Sequence, residues 1–193
     1  MDTELEGRVL VVGGSAASNA RIVAELEALG LEATSCVEAQ DAARVHDATG
    51  FDVIAFARAT LGRAAYAQQR TFLLQNPRVR IVESIGPLAV RQIVGALRRD
   101  PRAPRFITAL DVEPTSTRGV LRVEVLAPCV LRLWTFRLAS GALTTETLAI
   151  VQVQPSIFTL GIPLDQMQDA YSFVAEADDE LLHFPVLVAD PPS

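Results

Sequence analysis

Apolar residues fall in short blocks through residues 8–82, and after each block the spacing turns helical. Arg8–Val12 (RVLVV) ends at Gly13-Gly14 and reads as a buried strand. From Ser15 to Leu29, Ile22, Val23, Leu26 and Leu29 share one helical face, and Gly30 stops the helix. Glu32–Val37 predicts a second strand. Ala39–Ala48 predicts a short helix, with Ala42, Ala43, Val45 and His46 near one face and Gly50 closing it. Phe51–Ala57 is a third strand, and Thr60 is placed to cap a helix that runs to Asn76, before Pro77. Val79–Val82 is a fourth strand. Pro87 then suits the first position of a helix carrying Val90, Ile93, Val94 and Leu97. Four strand–helix units in a row predict a parallel sheet covered on both faces. Right-handed crossovers make it doubly wound.

The period then changes. Arg98–Arg105 (RRDPRAPR) is charged, carries two prolines and reads as a linker. Beyond it Leu121, Val123 and Val125 alternate with Arg122 and Glu124, a period of two. Phe106–Val112, Val130–Leu138, Leu143–Gln152, Ile157–Ile162, Tyr171–Ala177 and Leu181–Val188 are strand-like too. Turn signals separate them at Arg118-Gly119, Ser140-Gly141, Gln154-Pro155 and Asp178-Asp179. About seven short strands at this spacing predict an antiparallel β-sandwich. The fold class is α/β plus all-β: a doubly wound domain over residues 1–100, a linker at 101–105 and a sandwich over 106–193. Trp134 and Phe136 share strand parity and are expected to anchor the sandwich core, with ligand stacking as the alternative.

Composition narrows the chemistry. All 17 basic residues are arginine. Without a lysine there is no amine for a Schiff base and no phosphate-binding Walker or kinase lysine. Residues 1–104 hold 12 acids and 12 arginines, whereas residues 105–193 hold 11 acids against 5 arginines, net −6. Neither half offers the basic footprint that nucleic acid requires. Cys36 and Cys129 lie far apart, and His46 and His183 are the only histidines, so no metal-ligand cluster is spaced along the chain. The apolar runs are too short to span a bilayer, and the start MDTELEGR is acidic, unlike a signal peptide. A cytoplasmic protein is expected.

The candidate site is the crevice beyond the carboxyl ends of the first sheet's strands, where doubly wound folds hold ligands. Gly13, Gly14 and Ser15 form a glycine-rich turn that opens a helix, and backbone amides there can hold an anion. Ser18 and Asn19 lie in the first helical turn. Arg58 follows the third strand and adds a fixed positive charge, and Ser84 ends the fourth. The set suits a phosphate, a nucleotide or a carboxylate. The alternative is a tight turn with a serine cap and a solvated arginine.

Two resemblances rest on these residues. The run VVGGSAASN resembles the start of dinucleotide-binding and short-chain dehydrogenase folds, which implies a nucleotide at the turn. Ser15 and Ser18 stand at the second and third fingerprint glycines, and that family's catalytic Tyr-x-x-x-Lys cannot form without lysine. Over residues 7–100 the order and lengths of the elements resemble a response-regulator receiver domain, a flavodoxin-like fold. Gly13-Gly14 replaces the receiver's acidic pair. Phe56 or Ala57 replaces its phosphoacceptor aspartate, and Ser84 stands at its switch position. That pattern implies a pseudo-receiver that works by protein contact. Residues 106–193 resemble immunoglobulin-like and fibronectin-like accessory modules in strand rhythm, which implies a contact surface.

No serine sits in a G-x-S-x-G elbow, and His46 and His183 lie among apolar positions, so no catalytic residue is assigned. Glu176, Asp178, Asp179 and Glu180 read as a solvated hairpin turn, without the spacing of a calcium loop. The third and fourth helices and the last strand, where Pro185 marks an edge, are the surfaces expected to pair with a protein partner or a second copy. The leading expectation is a non-catalytic protein-interaction or regulatory module, homo-oligomeric, with no cofactor, nucleic acid or membrane. The alternative is a nucleotide or small-anion binder, or an enzyme, using the Gly13–Asn19 turn.

Overall fold

The computed structural model describes residues 5–100, 102–115, 117–139, 142–168 and 170–186. The chain divides into two compact units, Met1–Arg99 and Asp100–Ser193.

In the first unit, β1 (Arg8–Val12), β2 (Glu32–Cys36), β3 (Val53–Ala57) and β4 (Arg80–Ser84) form a parallel sheet in the order β2-β1-β3-β4. Hydrophobicity sets that order. The runs VLVV and VIAF are buried and take the two central positions, while the polar EATSC and RIVES take the edges. Successive side chains along a strand point to opposite faces. Val9, Val11, Val53 and Ala55 accordingly pack with Ile22 and Leu26 of α1 (Ala16–Glu27) and with Ala89 and Ile93 of α4 (Ala89–Arg98). Leu10, Val12, Ile54 and Phe56 pack with Ala42 of α2 (Ala42–Val45) and with Ala65 and Phe72 of α3 (Arg63–Gln75).

Some expected boundaries move. The helix expected at Ala39–Ala48 breaks into a 3₁₀ turn at Ala39–Asp41, the single turn α2, and a 3₁₀ turn at Ala48–Gly50. His46 is the break: its backbone is extended, and its ring meets the Phe51 ring edge-on at 6.0 Å. Thr60 is not a helix cap. It ends a 3₁₀ turn, Arg58–Thr60, and α3 begins after Gly62. Pro87 sits in a 3₁₀ turn, Gly86–Leu88, that leads into α4.

In the second unit β5 (Ile107–Pro114), β6 (Arg118–Val125), β7 (Cys129–Ala139), β8 (Ala142–Val153), β9 (Ser156–Pro163), β10 (Ala170–Ala177) and β11 (Glu180–Pro185) form two antiparallel sheets. Their orders are β11-β10-β7-β8 and β5-β6-β9. One apolar cluster draws on both: Val112, Leu121 and Val123 from the smaller sheet, Leu131, Leu133 and Phe173 from the larger. Arg118-Gly119 is not a turn but the start of β6, and a short helix α5 (Leu164–Gln168), unmarked by any apolar period, follows β9. The turn expected at Ser140-Gly141 and the end of the Leu181–Val188 strand lie outside the described residues.

Trp134 and Phe136 do not anchor this core. Leu131 and Leu133 supply the core side of β7, so alternation puts Trp134 and Phe136 on the opposite face of the sheet. Their rings meet edge-to-face at 5.1 Å, and both are buried. Parity alone could not tell which set faces inward, because both faces of β7 carry large apolar residues.

Candidate functional site

The turn from β1 to α1 is made by two consecutive residues with left-handed backbone, Gly13 (φ 81) and Gly14 (φ 76). Only glycine takes this geometry without strain. The Gly13 N–H donates to the Cys36 carbonyl at 2.8 Å, which ties the turn to the end of β2. Ser15 is extended, and its Oγ accepts from the Ser18 N–H at 3.1 Å, so it is the N-cap of α1. Ser18 contributes its backbone to that cap. Replacing Ser15 with alanine is expected to cost about 1 kcal/mol of stability, read by urea unfolding followed through helical circular dichroism. Glycine at this position should cost only a few tenths.

The side chains around the turn close it. A Cβ on Gly13 would stand 2.2 Å from the Thr60 Oγ1 and 3.1 Å from the Thr60 Cβ. Thr60 therefore lies directly over the glycine, held there as its hydroxyl donates to the Ala57 carbonyl at 2.8 Å. A Cβ on Gly14 would stand 3.2 Å from the Asn19 Oδ1 and 3.6 Å from the Ala57 Cβ. Asn19 is 1% exposed, and its Nδ2 has no hydrogen-bond partner among the described residues. Thr60 and Ala57 had no role in the sequence-based site. Their signal was the position of ARAT directly after a buried strand.

Ser84 is buried at the end of β4, and its hydroxyl donates to the Phe56 carbonyl at 3.2 Å, across the β3–β4 pair. Arg58 opens the 3₁₀ turn after β3 and is exposed. The fold thus brings Gly13, Gly14, Ser15 and Asn19 together with Ala57 and Thr60. Ser84 turns toward β3, and Arg58 stands in solvent.

An open depression of about 810 Å³ lies at the other end of the sheet, by the amino ends of the strands. Arg8, Arg78, Arg80, Glu6, Glu32 and Asp52 line it, so its charge is balanced. Two of these groups serve the fold: the Asp52 carboxylate accepts from the Arg8 N–H at 2.8 Å, and the Arg80 guanidinium donates to the Leu97 carbonyl at 3.1 Å.

Neither thiol is activated. Burial pushes the Cys36 thiol above its ordinary pKa, with Asp41 and Glu38 adding to the shift against a hydrogen bond to the Glu38 backbone. Burial raises the Cys129 thiol too, helped by Asp178 and Glu180. Low-pKa nucleophiles need the opposite environment. Among the described residues no group of three or more His, Cys, Asp or Glu is placed to hold a metal, and no helix is long and apolar enough to cross a membrane.

No family model matches the chain, and no curated protein does. A crystal structure of a protein from Agrobacterium tumefaciens aligns with 97% of this chain and 96% of its own, at 8% identity and a TM-score of 0.33.

Proposed function

We propose that the chain is a non-catalytic cytoplasmic module that works by protein contact, through a second copy of itself or a partner. In this reading the first unit is a doubly wound, flavodoxin-like pseudo-receiver and the second is a β-sandwich accessory module. One observation carries it. The groups of the candidate crevice are committed to the fold: Thr60 covers Gly13, Ser15 caps α1, and the Ser84 hydroxyl bonds to Phe56. A turn built to hold a phosphate keeps its backbone amides open to the ligand.

A second reading, a nucleotide or small-anion site at the Gly13–Asn19 turn, has one observation in its favour. The buried Asn19 Nδ2 is a donor without an acceptor among the described residues, and buried donors are seldom left so. Arg58 would supply the charge. Native mass spectrometry of the wild-type protein and of Arg58→Ala separates the two. The interaction reading expects the same subunit number in both proteins and no retained small molecule. A bound mass of phosphate or nucleotide size in the wild type that disappears in Arg58→Ala would overturn it.

A further inference from the structure

The two sides of the sandwich are finished differently. On one side the edge strands β11 and β5 are joined by Glu180, whose carboxylate accepts from the backbone N–H groups of Phe106 and Ile107 at 2.9 and 2.8 Å. The start of β11 is therefore tied to the start of β5. On the other side β8 has β7 as its single neighbour among the described residues. It is 12 residues long, and its outer residues Thr145, Thr147, Ile150 and Gln152 are exposed, Ile150 at 61%. An unpaired strand edge is usually blunted by lysine, proline, free or inward-pointing charge, or a bulge; of these β8 has the bulge, at Leu148, and one acid. Its sequence, ALTTETLAIVQV, has no lysine and no proline, and its one acid, Glu146, is paired with Arg137 at 2.8 Å.

We propose that two copies of this chain pair β8 with β8 in antiparallel fashion about a twofold axis between Leu148 and Ala149, joining two four-stranded sheets into one. The proposal rests on the protein-contact reading above and names its partner and surface.

Self-complementarity of the strand points to a second copy. The register of β8 against β7 shifts by one residue at Leu133/Trp134, so Leu148 is an extra residue in β8. Up to that bulge Thr145 and Thr147 stand opposite Phe136 and Trp134, on the outer face. Beyond it Ile150 and Gln152, opposite Arg132 and Val130, hold that face. Thr144, Glu146, Ala149, Val151 and Val153 stand on the core side, and Leu148 packs against the core. A twofold between Leu148 and Ala149 sets Thr147 opposite Ile150, Thr145 opposite Gln152, Glu146 opposite Val151 and Thr144 opposite Val153. Each outer residue then meets an outer residue and each core-side residue a core-side one. Moving the axis by one residue breaks this match, because strand side chains alternate with a period of two. No acid faces its own copy in this register, which matters in a half of the chain that carries net −6. An isologous pairing also closes on itself, because each copy uses the β8 edge that the other covers.

Two variants test it. Thr147→Lys with Ile150→Lys places like charges opposite each other twice across the axis, at exposed positions away from the core. Light scattering on the wild type is expected to give twice the 20.8 kDa chain mass. The double lysine variant is expected to give the single-chain mass, with circular dichroism unchanged. For the register, Thr147→Cys with Ile150→Cys, in a background with Cys36→Ser and Cys129→Ala, is expected to form a disulfide-linked dimer on oxidation. Directly opposed Cα atoms lie about 4.5–5.5 Å apart, within disulfide reach. Thr147→Cys alone should not cross-link, because across the bulge its two copies sit two ladder positions out of line, about 7 Å along the strand, which together with the strand spacing puts them outside disulfide reach. A wild-type monomer at all concentrations overturns the proposal. A dimer that survives the lysines overturns it too, while leaving self-association through another surface intact. Loss of the protein-contact reading itself would show separately, as the Arg58-dependent bound mass.

Discussion

Replacing Gly13 with alanine is expected to destabilise the first unit by about 3 kcal/mol. Two costs add. A residue with a Cβ at φ 81 pays about 1–2 kcal/mol for left-handed backbone. The new Cβ also lands 2.2 Å from the Thr60 Oγ1, and forcing such a contact costs about 1–3 kcal/mol in a packed site. Thr60 cannot step aside freely, since its hydroxyl is bonded to the Ala57 carbonyl. A double-mutant cycle separates the two costs. Gly13→Ala with Thr60→Ala removes the Oγ1 and leaves Cβ facing Cβ, so it should recover the steric part and retain the backbone part. Urea unfolding followed by helical circular dichroism is the measurement. If Gly13→Ala costs less than about 1 kcal/mol, the lower bound of the backbone term alone, the glycine is not held by packing, and the case for a ligand-cradling turn is reopened.

That cycle bears on how far the sequence could be read. The two central strands were legible almost residue for residue, because VLVV and VIAF must be buried on both faces and Gly13-Gly14 after the first must turn. The alternating C-terminal strands were legible for a related reason: a period of two fixes which residues share a face. The candidate turn was legible as a turn only. Whether Gly13 and Gly14 are left open for a ligand or covered by protein depends on Thr60 and Asn19. Thr60 reaches the turn from another strand–helix unit, and Asn19 fills Gly14 from one turn into α1. Such contacts leave no local period. The same limit hid the break at His46, where the helical pattern of Ala39–Ala48 was real but weak, built mostly on alanine. It also hid the side of β7 that Trp134 takes, since apolar residues on both faces of a strand give parity without direction.

Glu180 is where a charge was read most wrongly, and replacing it with alanine is expected to cost the second unit about 3 kcal/mol. Its neighbours Asp178 and Asp179 are exposed, so the hairpin reads as a solvated acidic turn. Asp178, at φ 49, makes the reversal, and the next strand begins with Glu180 at 7% exposure. Its Oε2 accepts from both Phe106 and Ile107 N–H groups, which stand where β5 begins, at the edge of its sheet among the described residues. One carboxylate thus does for β5 what a neighbouring strand would do, and it binds one sheet of the unit to the other. Truncation leaves two backbone donors without a partner at a half-buried and a buried residue, at about 1–3 kcal/mol each where water does not replace the oxygen. Glu180→Gln keeps an acceptor oxygen in the same place and loses only the charge assistance, so it should cost about 1 kcal/mol. Trp134, the one tryptophan of the chain, lies in this unit and reports its unfolding by fluorescence. Amide exchange should quicken at Phe106 and Ile107 in Glu180→Ala and stay near wild type in Glu180→Gln. Should Glu180→Ala prove no more costly than the exposed control Asp179→Ala, the carboxylate bridge contributes nothing. The side of the sandwich at β11 and β5 would then be as open as the side at β8, and the asymmetry that singles out β8 for pairing would lose its basis.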